Sequence, residues 1–317
     1  MFHKKTHLKI LALATLLPLF SLSWSPSARS AGKGVTRPLG SGTVNWSTSM
    51  IRVTGSGAPP AKGSAPQKRL MAKRAAITDG YRQLAEAVNG VRVFSETTVK
   101  NFVTESDVIR LQVQAVIKGA RVVGQTRYLS DGSVEVDIEM PVFGSDSLAQ
   151  GLDFGKSLQK EMSKPYSMLD GRLAFIGPLL RLAPPPKKPQ PERGKRWQQA
   201  QGAGYTGLII DASGLGAEPA MGPFIIGAAK RIHPNNAIGM DPNLIVQQGP
   251  VHYVEDIDEA KSDNDRIGAN PLVIEAKAAQ GNPANTDILL DDAAAKKVLE
   301  ANQQGHFLDS LKVTLVI

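Results

Sequence analysis

Asp211 is the residue best placed for chemistry. It follows a short apolar run, Leu208–Ile209–Ile210, and precedes Ser213 and Gly214. A carboxylate at the end of a buried strand is a position from which an acid or base can act. A zinc hydrolase built on such a strand needs a histidine just beyond it and a glutamate ligand, and Ser213 and Gly214 stand there instead. Beyond the first thirty residues the chain holds only His233, His252 and His306, none in an H-x-E or H-E-x-x-H spacing. Asp211 therefore reads as a turn or capping residue. The competing reading makes it the centre of a hydrolase or small-ligand site in a cleft between two domains.

Other constellations fail on particular residues. Gly214–Leu215–Gly216 after a strand begins a dinucleotide loop, but the third glycine position is Pro219. A proline there removes a backbone donor and blocks the helix that would bind phosphate. Glu255, Asp256, Asp258, Glu259, Asp263 and Asp265 form an acidic stretch, in which Asp263, Asp265 and Gly268 match a calcium loop. Ile267 occupies a ligand position, however, and Ile274 stands where the bidentate glutamate belongs. The stretch reads as a solvated turn. The absence of cysteine removes thiol catalysis, disulfides, cysteine-bound metals and lipid attachment at an N-terminal cysteine. No nucleophile elbow of G-x-S-x-G type occurs after residue 30. A carboxylate pair distant in sequence stays open, although 5% aromatic residues argues against a sugar-stacking groove. The expectation is no catalytic, cofactor or metal site, and no cofactor.

The elements that would position these residues come in two groups. Val44–Val53 has β character between irregular Gly/Pro/Ser-rich stretches at 32–43 and 54–66. Gln67–Asn89 is the clearest helix, rich in alanine, with Leu70, Ile77, Tyr81, Leu84 and Val88 on one stripe and Gly90 as its stop. Val91–Val99 suggests a strand. A short helix over Glu105–Gln114 competes with a strand, because Leu111, Val113 and Ala115 alternate. Gly119–Leu129 and Ser133–Val142 form a hairpin around Ser130–Asp131–Gly132, with Val134, Val136, Ile138 and Met140 on the core face. Residues 144–181 are ambiguous. Residues 182–204 carry Pro184–Pro185–Pro186 and several basic residues, the pattern of a stiff linker. From 205 onward, strands are expected at Leu208–Ile210, Val251–Val254, Pro271–Ala276 and Leu311–Ile317, with a helix over Ala293–Asn302. This predicts an α+β protein of two small domains, 44–143 and 205–317, joined by the connecting region 144–181 and the linker. In the first domain the alanine-rich helix packs on one face of the sheet.

The N-terminus predicts the compartment. Lys4, Lys5 and Lys9 precede an apolar run from Ile10 to Leu22, and Ala28 and Ser30 lie where a signal peptidase requires small residues. The run is shorter than a membrane span and contains Pro18. Residues 1–30 are thus expected to be a signal peptide. They hold four cations, Lys4, Lys5, Lys9 and Arg29, and no acid, so cleavage halves the formal net charge of +8. The remainder is too mildly charged to imply nucleic acid. The expected location is the periplasm or the outer membrane, with no transmembrane segment after cleavage and no lipid anchor.

Three segments carry a family resemblance: Lys73–Val93 (KRAAITDGYRQLAEAVNGVRV), Ile117–Val123 (IKGARVV) and Asp131–Val136 (DGSVEV). Over residues 44–143 they resemble the LPP-twenty type of bacterial outer-membrane lipoprotein domain and, similarly, the N-terminal domain of flagellar assembly protein T. Thr206–Ala212 (TGLIIDA) and Asn270–Ala276 (NPLVIEA) look like the companion region of exported proteins of that kind. The resemblance implies an envelope-associated, non-enzymatic protein whose partners are other envelope proteins, in an outer-membrane or flagellar setting. It departs from the lipoproteins in having no cysteine after the signal.

Overall fold

The computed structural model describes residues 34–164, 204–227, 230–235 and 239–317. The expected signal peptide lies outside these residues, as does the linker apart from Gly204. Lys33–Ile317 forms a compact unit of its own.

The first half is a five-stranded antiparallel sheet of β1 (Thr36–Leu39), β2 (Gly42–Asn45), β3 (Met50–Gly57), β4 (Arg121–Tyr128) and β5 (Val134–Pro141), in the order β1-β2-β3-β5-β4. The single strand expected over Val44–Val53 is two, folded back at Thr48–Ser49, and β3 runs on to Gly57 through a stretch expected to be irregular. Helix α1 (Ala65–Gly90) covers one sheet face. It starts at Ser64, whose backbone N–H donates to Gln67 Oε1 at 2.9 Å to close a capping box. Two further helices follow, α2 (Val99–Glu105) and α3 (Asp107–Lys118), the latter capped by Ser106.

The buried stripe of α1 is not the one the large residues predicted. Ala72, Ala76, Gly80, Leu84, Ala87 and Val88 are buried, whereas Leu70 is 52% exposed. The reason lies across the interface. A Cβ on Gly55 would sit 2.2 Å from Ala76 O and one on Gly57 would sit 2.2 Å from Ala72 O. Helix and strand meet backbone to backbone, and only small residues fit between them. Leu84 and Val88 are the large residues of the buried stripe. Tyr81 lies at the flank, donating its hydroxyl to Ala120 O at 2.9 Å.

Val91–Thr98, most of the strand expected over Val91–Val99, is a tight loop instead, closed by Val93 N–H to Thr97 O at 2.9 Å and bearing a single bridge, Arg92 to Thr98. Its apolar residues are buried because the loop is inserted against the second half. The hairpin agrees with expectation: β4 pairs with β5, and Val134, Val136, Ile138 and Met140 are buried. Residues 144–164 contribute α4 (Leu148–Gly151) and α5 (Phe154–Met162).

The second half contains two four-stranded sheets. Strands β6 (Gly207–Asp211), β9 (His252–Val254), β10 (Pro271–Glu275) and β13 (Val313–Val316) form a parallel sheet in the order β10-β6-β13-β9. Strands β7 (Ile225–Gly227), β8 (Lys230–His233), β11 (Ala278–Gln280) and β12 (Asp287–Leu289) form a mixed sheet, β11-β12-β7-β8. Helices α6 (Pro242–Gln248), α7 (Ile257–Ser262), α8 (Asn264–Ile267) and α9 (Asp292–Gly305) connect them. Asp291 caps α9 by accepting from Ala294 N–H at 2.7 Å. The protein is α+β.

The two halves share one hydrophobic core, running from Val35 and Trp46 through Phe94 and Phe154 to Leu315. Phe94 stacks on Phe154 and on Phe224, each at 6.1 Å between ring centroids, and Trp46 meets Tyr253 edge-on at 5.8 Å. Met221 and Gly222 donate backbone N–H groups to Arg92 O and Val93 O. Independence of the halves, which the proline-rich segment suggested, does not describe this seam.

Candidate functional site

Asp211 ends β6, the second strand of the parallel sheet and one flanked on both sides. The carboxyl ends of parallel strands are where open α/β sheets place ligands. Here the Asp211 side chain closes a turn: its Oδ1 accepts from Ser213 N–H at 3.0 Å, and its backbone carbonyl accepts from Ala276 N–H at 2.8 Å. Gly214 and Gly216 follow with φ of +74° and +67°, so the chain turns instead of opening a helix toward a phosphate.

The three histidines lie in separate places. His233 is fully buried, with Nε2 2.8 Å from Pro250 O, and burial pushes its pKa down to about 4. His252 crosses the seam, with Nε2 2.9 Å from Ser47 O and Nδ1 3.1 Å from Asp263 Oδ2. His306 caps α9 in a left-handed conformation, 3.5 Å from Asp309. None is a hydrogen-bond partner of Asp211. Among the described residues, no group of three or more His, Asp or Glu side chains gathers closely enough to hold a metal ion.

The acidic stretch works as helix capping. Asp256 accepts from Glu259 N–H and Asp263 from Arg266 N–H, at the starts of α7 and α8. The two positions that would have to ligate calcium, Ile267 and Ile274, are buried apolar side chains.

Sequence reasoning missed a cluster of buried polar groups near the seam. Asp287 accepts from Phe224 N–H at 3.1 Å and from the Thr286 hydroxyl at 3.2 Å, and burial raises its pKa to about 6. Arg231 lies 4.3 Å over the Phe224 ring and donates through Nη1 to the carbonyls of Glu161, Met162 and Lys164 at the end of α5. Tyr253 donates its hydroxyl to Ala220 O and accepts from Ala220 N–H. The partners are mostly backbone groups from both halves, which is the chemistry of a fastening. The signal available in sequence was the set of apolar runs interrupted by single polar residues, and it does not reveal which runs face each other.

A groove of about 920 Å³ lies in the first half, between α3, the β4–β5 end and the segment Phe143–Gly151. Arg121, Glu139 and Asp146 line it together with small residues such as Ala115 and Gly119. Asp211 does not line it.

The chain is thus an α+β protein of two fused parts, the second containing a parallel sheet and a mixed sheet. Residues 207–317 of this second part match the family described as Treponema pallidum Tp0624, second domain. No curated protein matches the chain.

Proposed function

We propose that this is an exported protein of the bacterial envelope that binds other envelope proteins as an assembly or scaffold component and catalyses nothing. The observation that carries the reading is the environment of Asp211. The strongest catalytic candidate is engaged in its own turn with Ser213 N–H, and the histidines hold other parts of the fold together. The signal-like N-terminus supports export, and the resemblance of residues 44–143 to LPP-twenty-type domains supports envelope association. The fused halves suit a scaffold, since a rigid body loses little freedom on binding.

The test has two arms. The mature chain from the envelope fraction should begin near Ala31 by mass spectrometry, and one retaining Met1–Leu22 removes the export reading. Purified protein should show no peptidoglycan hydrolase, protease or esterase activity with or without zinc. A reproducible activity that Asp211→Asn abolishes, at an unchanged melting temperature, would replace this proposal with the hydrolase.

A further inference from the structure

The sequence contains no aspartate or glutamate before Asp79. Lys62, Lys68, Arg69, Lys73 and Arg74 therefore form an unbalanced run of positive charge on α1 and the loop before it. Among the described residues, Lys62, Lys68, Lys73 and Arg74 stand outside the ion pairs of the protein. Arg69 places its guanidinium 5.4 Å over the ring of Tyr128.

Large apolar side chains share this surface. Leu70, Met71, Tyr128 and Leu129 are 52%, 53%, 54% and 44% exposed. The fold does not use them, because the helix packs through its alanines and Gly80. Tyr128 and the first turns of α1 enclose a notch of about 350 Å³. The hairpin tip reaches the same place: a Cβ on Gly132 would lie 3.4 Å from Pro59. All these residues cluster at the Gly57–Val134 end of the paired strands, while the seam lies at the Met50–Pro141 end. Eight strand residues separate the two ends by roughly 23 Å. Asp131, the acid of the tip, is turned onto the backbone N–H and hydroxyl of Ser133.

We infer that this end of the first half docks on an anionic lipid bilayer. Lysine and arginine groups meet the headgroup phosphates, and Leu70, Met71, Tyr128 and Leu129 enter the boundary between headgroups and acyl chains. Tyrosine suits that depth, with an apolar ring and a polar tip. Two observations favour a bilayer over other polyanions. A nucleic acid rewards the charges but gives nothing for exposed Leu70 and Met71. An acidic protein strand would add to the free edge of β4, but the β4–β5 register breaks between Val123 and Arg127, with Gly124 at φ +67°, so the edge is no continuous ladder. The inference goes beyond the scaffold reading and stands on this surface alone.

The test is vesicle flotation of the chain from Lys33 onward, a compact unit by itself that lacks the apolar run before it. It should float with phosphatidylcholine vesicles that contain phosphatidylglycerol and not with pure phosphatidylcholine. Each cation removed near the surface weakens binding about five-fold, so Lys68→Gln/Lys73→Gln/Arg74→Gln should lose on the order of a hundred-fold. Leu70→Ser/Met71→Ser should lose about ten-fold or more. Lys296→Gln/Lys297→Gln on α9 should bind as the parent does, and all variants should melt with it. Failure to float, equal binding to both vesicles, or binding that survives both sets of changes overturns the inference. So does binding to polyglutamate as tight as to vesicles and indifferent to Leu70→Ser/Met71→Ser, which assigns the surface to an acidic protein. None of these results touches the scaffold proposal.

Discussion

Gly55→Ala is the sharpest perturbation of the first half. The new Cβ would stand 2.2 Å from Ala76 O and 2.4 Å from Gly80 N. Both obstacles are backbone atoms of α1, and no rotamer change relieves them. The helix must lift from β3 by about 1 Å, since carbon–carbon contacts become favourable only near 3.5 Å. Overpacking of this kind costs about 1–3 kcal/mol, and a rigid obstacle places it at the upper end. Replacing glycine returns at most about 1 kcal/mol through the unfolded chain. The net loss is about 2 kcal/mol, or roughly 4–8 °C in melting temperature for a protein of this size. Gly57→Ala meets Ala72 O at 2.2 Å and Ala76 N at 2.4 Å and should behave alike. The double variant should fall short of the sum, because one displacement of α1 relieves both clashes. Gly119→Ala is the control: its φ is −82° and its nearest neighbour would be Val116 O at 3.3 Å, so it should be close to neutral. Thermal melts followed by circular dichroism read all four. A Gly55→Ala protein that melts with the parent would refute backbone-to-backbone packing of α1 on β3.

Leu84→Ala should cost about 2–5 kcal/mol, because Leu84 is fully buried on the inner face of α1, and a loss no larger than that of Leu70→Ala would remove α1 from the core. Buried His233 and Asp287 should act in opposite senses on pH stability. The pKa of His233 is lowered by burial to about 4, so its contribution is present above about 6.5 and lost as pH falls toward 4. The pKa of Asp287 is raised by burial to about 6, so its contribution is present below 3.8 and lost as pH rises to about 6. Denaturant midpoints should show the two offsetting each other between these values. His233→Gln should then gain stability toward acid and Asp287→Asn should lose it, and parent-like profiles in both variants would refute the assignment.

The elements legible in the sequence were those with a local signal. Alternation across Val134–Met140 marked the hairpin, and the alanine-rich segments Gln67–Asn89 and Ala293–Asn302 marked the two long helices. What was not legible depended on partners distant in the chain. The stripe of α1 was misread because leucine and isoleucine dominate any hydrophobic count, while the true interface uses Ala72, Ala76 and Gly80 against two strand glycines. Val91–Val99 looked like a strand because its valines and Phe94 are apolar. They are apolar to fill the seam, a tertiary requirement that overrides β propensity. Strands β7, β11 and β12 have three residues each, too few for a period to register; β9, equally short, was read only from its apolar Val251–Val254 run. At the candidate site, the turn role of Asp211 was readable from an aspartate at a strand end with no ligand partners beside it, whereas the fastening by Asp287 and Arg231 was not.

The seam draws large apolar side chains from both halves into one core. Of the nine phenylalanines in the sequence, Phe94, Phe102, Phe143, Phe154 and Phe224 meet ring to ring in one chain of stacked and tilted contacts at it. Aromatic residues are what protein interfaces ordinarily use as anchors, and here the internal interface has claimed them. The surface inferred to meet a bilayer works mainly with charge and aliphatic side chains, with Tyr128 as its aromatic. That is the composition of the α1 start and the hairpin tip, where Leu70 and Met71 stand among Lys68, Lys73 and Arg74. The outer face of the same sheet is the contrast. There Arg52 pairs with Glu139, and Arg127 pairs with Glu135 and Asp137, holding the Asp137 carboxyl down to about 2. One face of the first half has its charges balanced internally, and the far end has them unbalanced beside exposed aliphatics. The asymmetry in partnering, more than the total charge, is the physical ground for placing the external contact at that end.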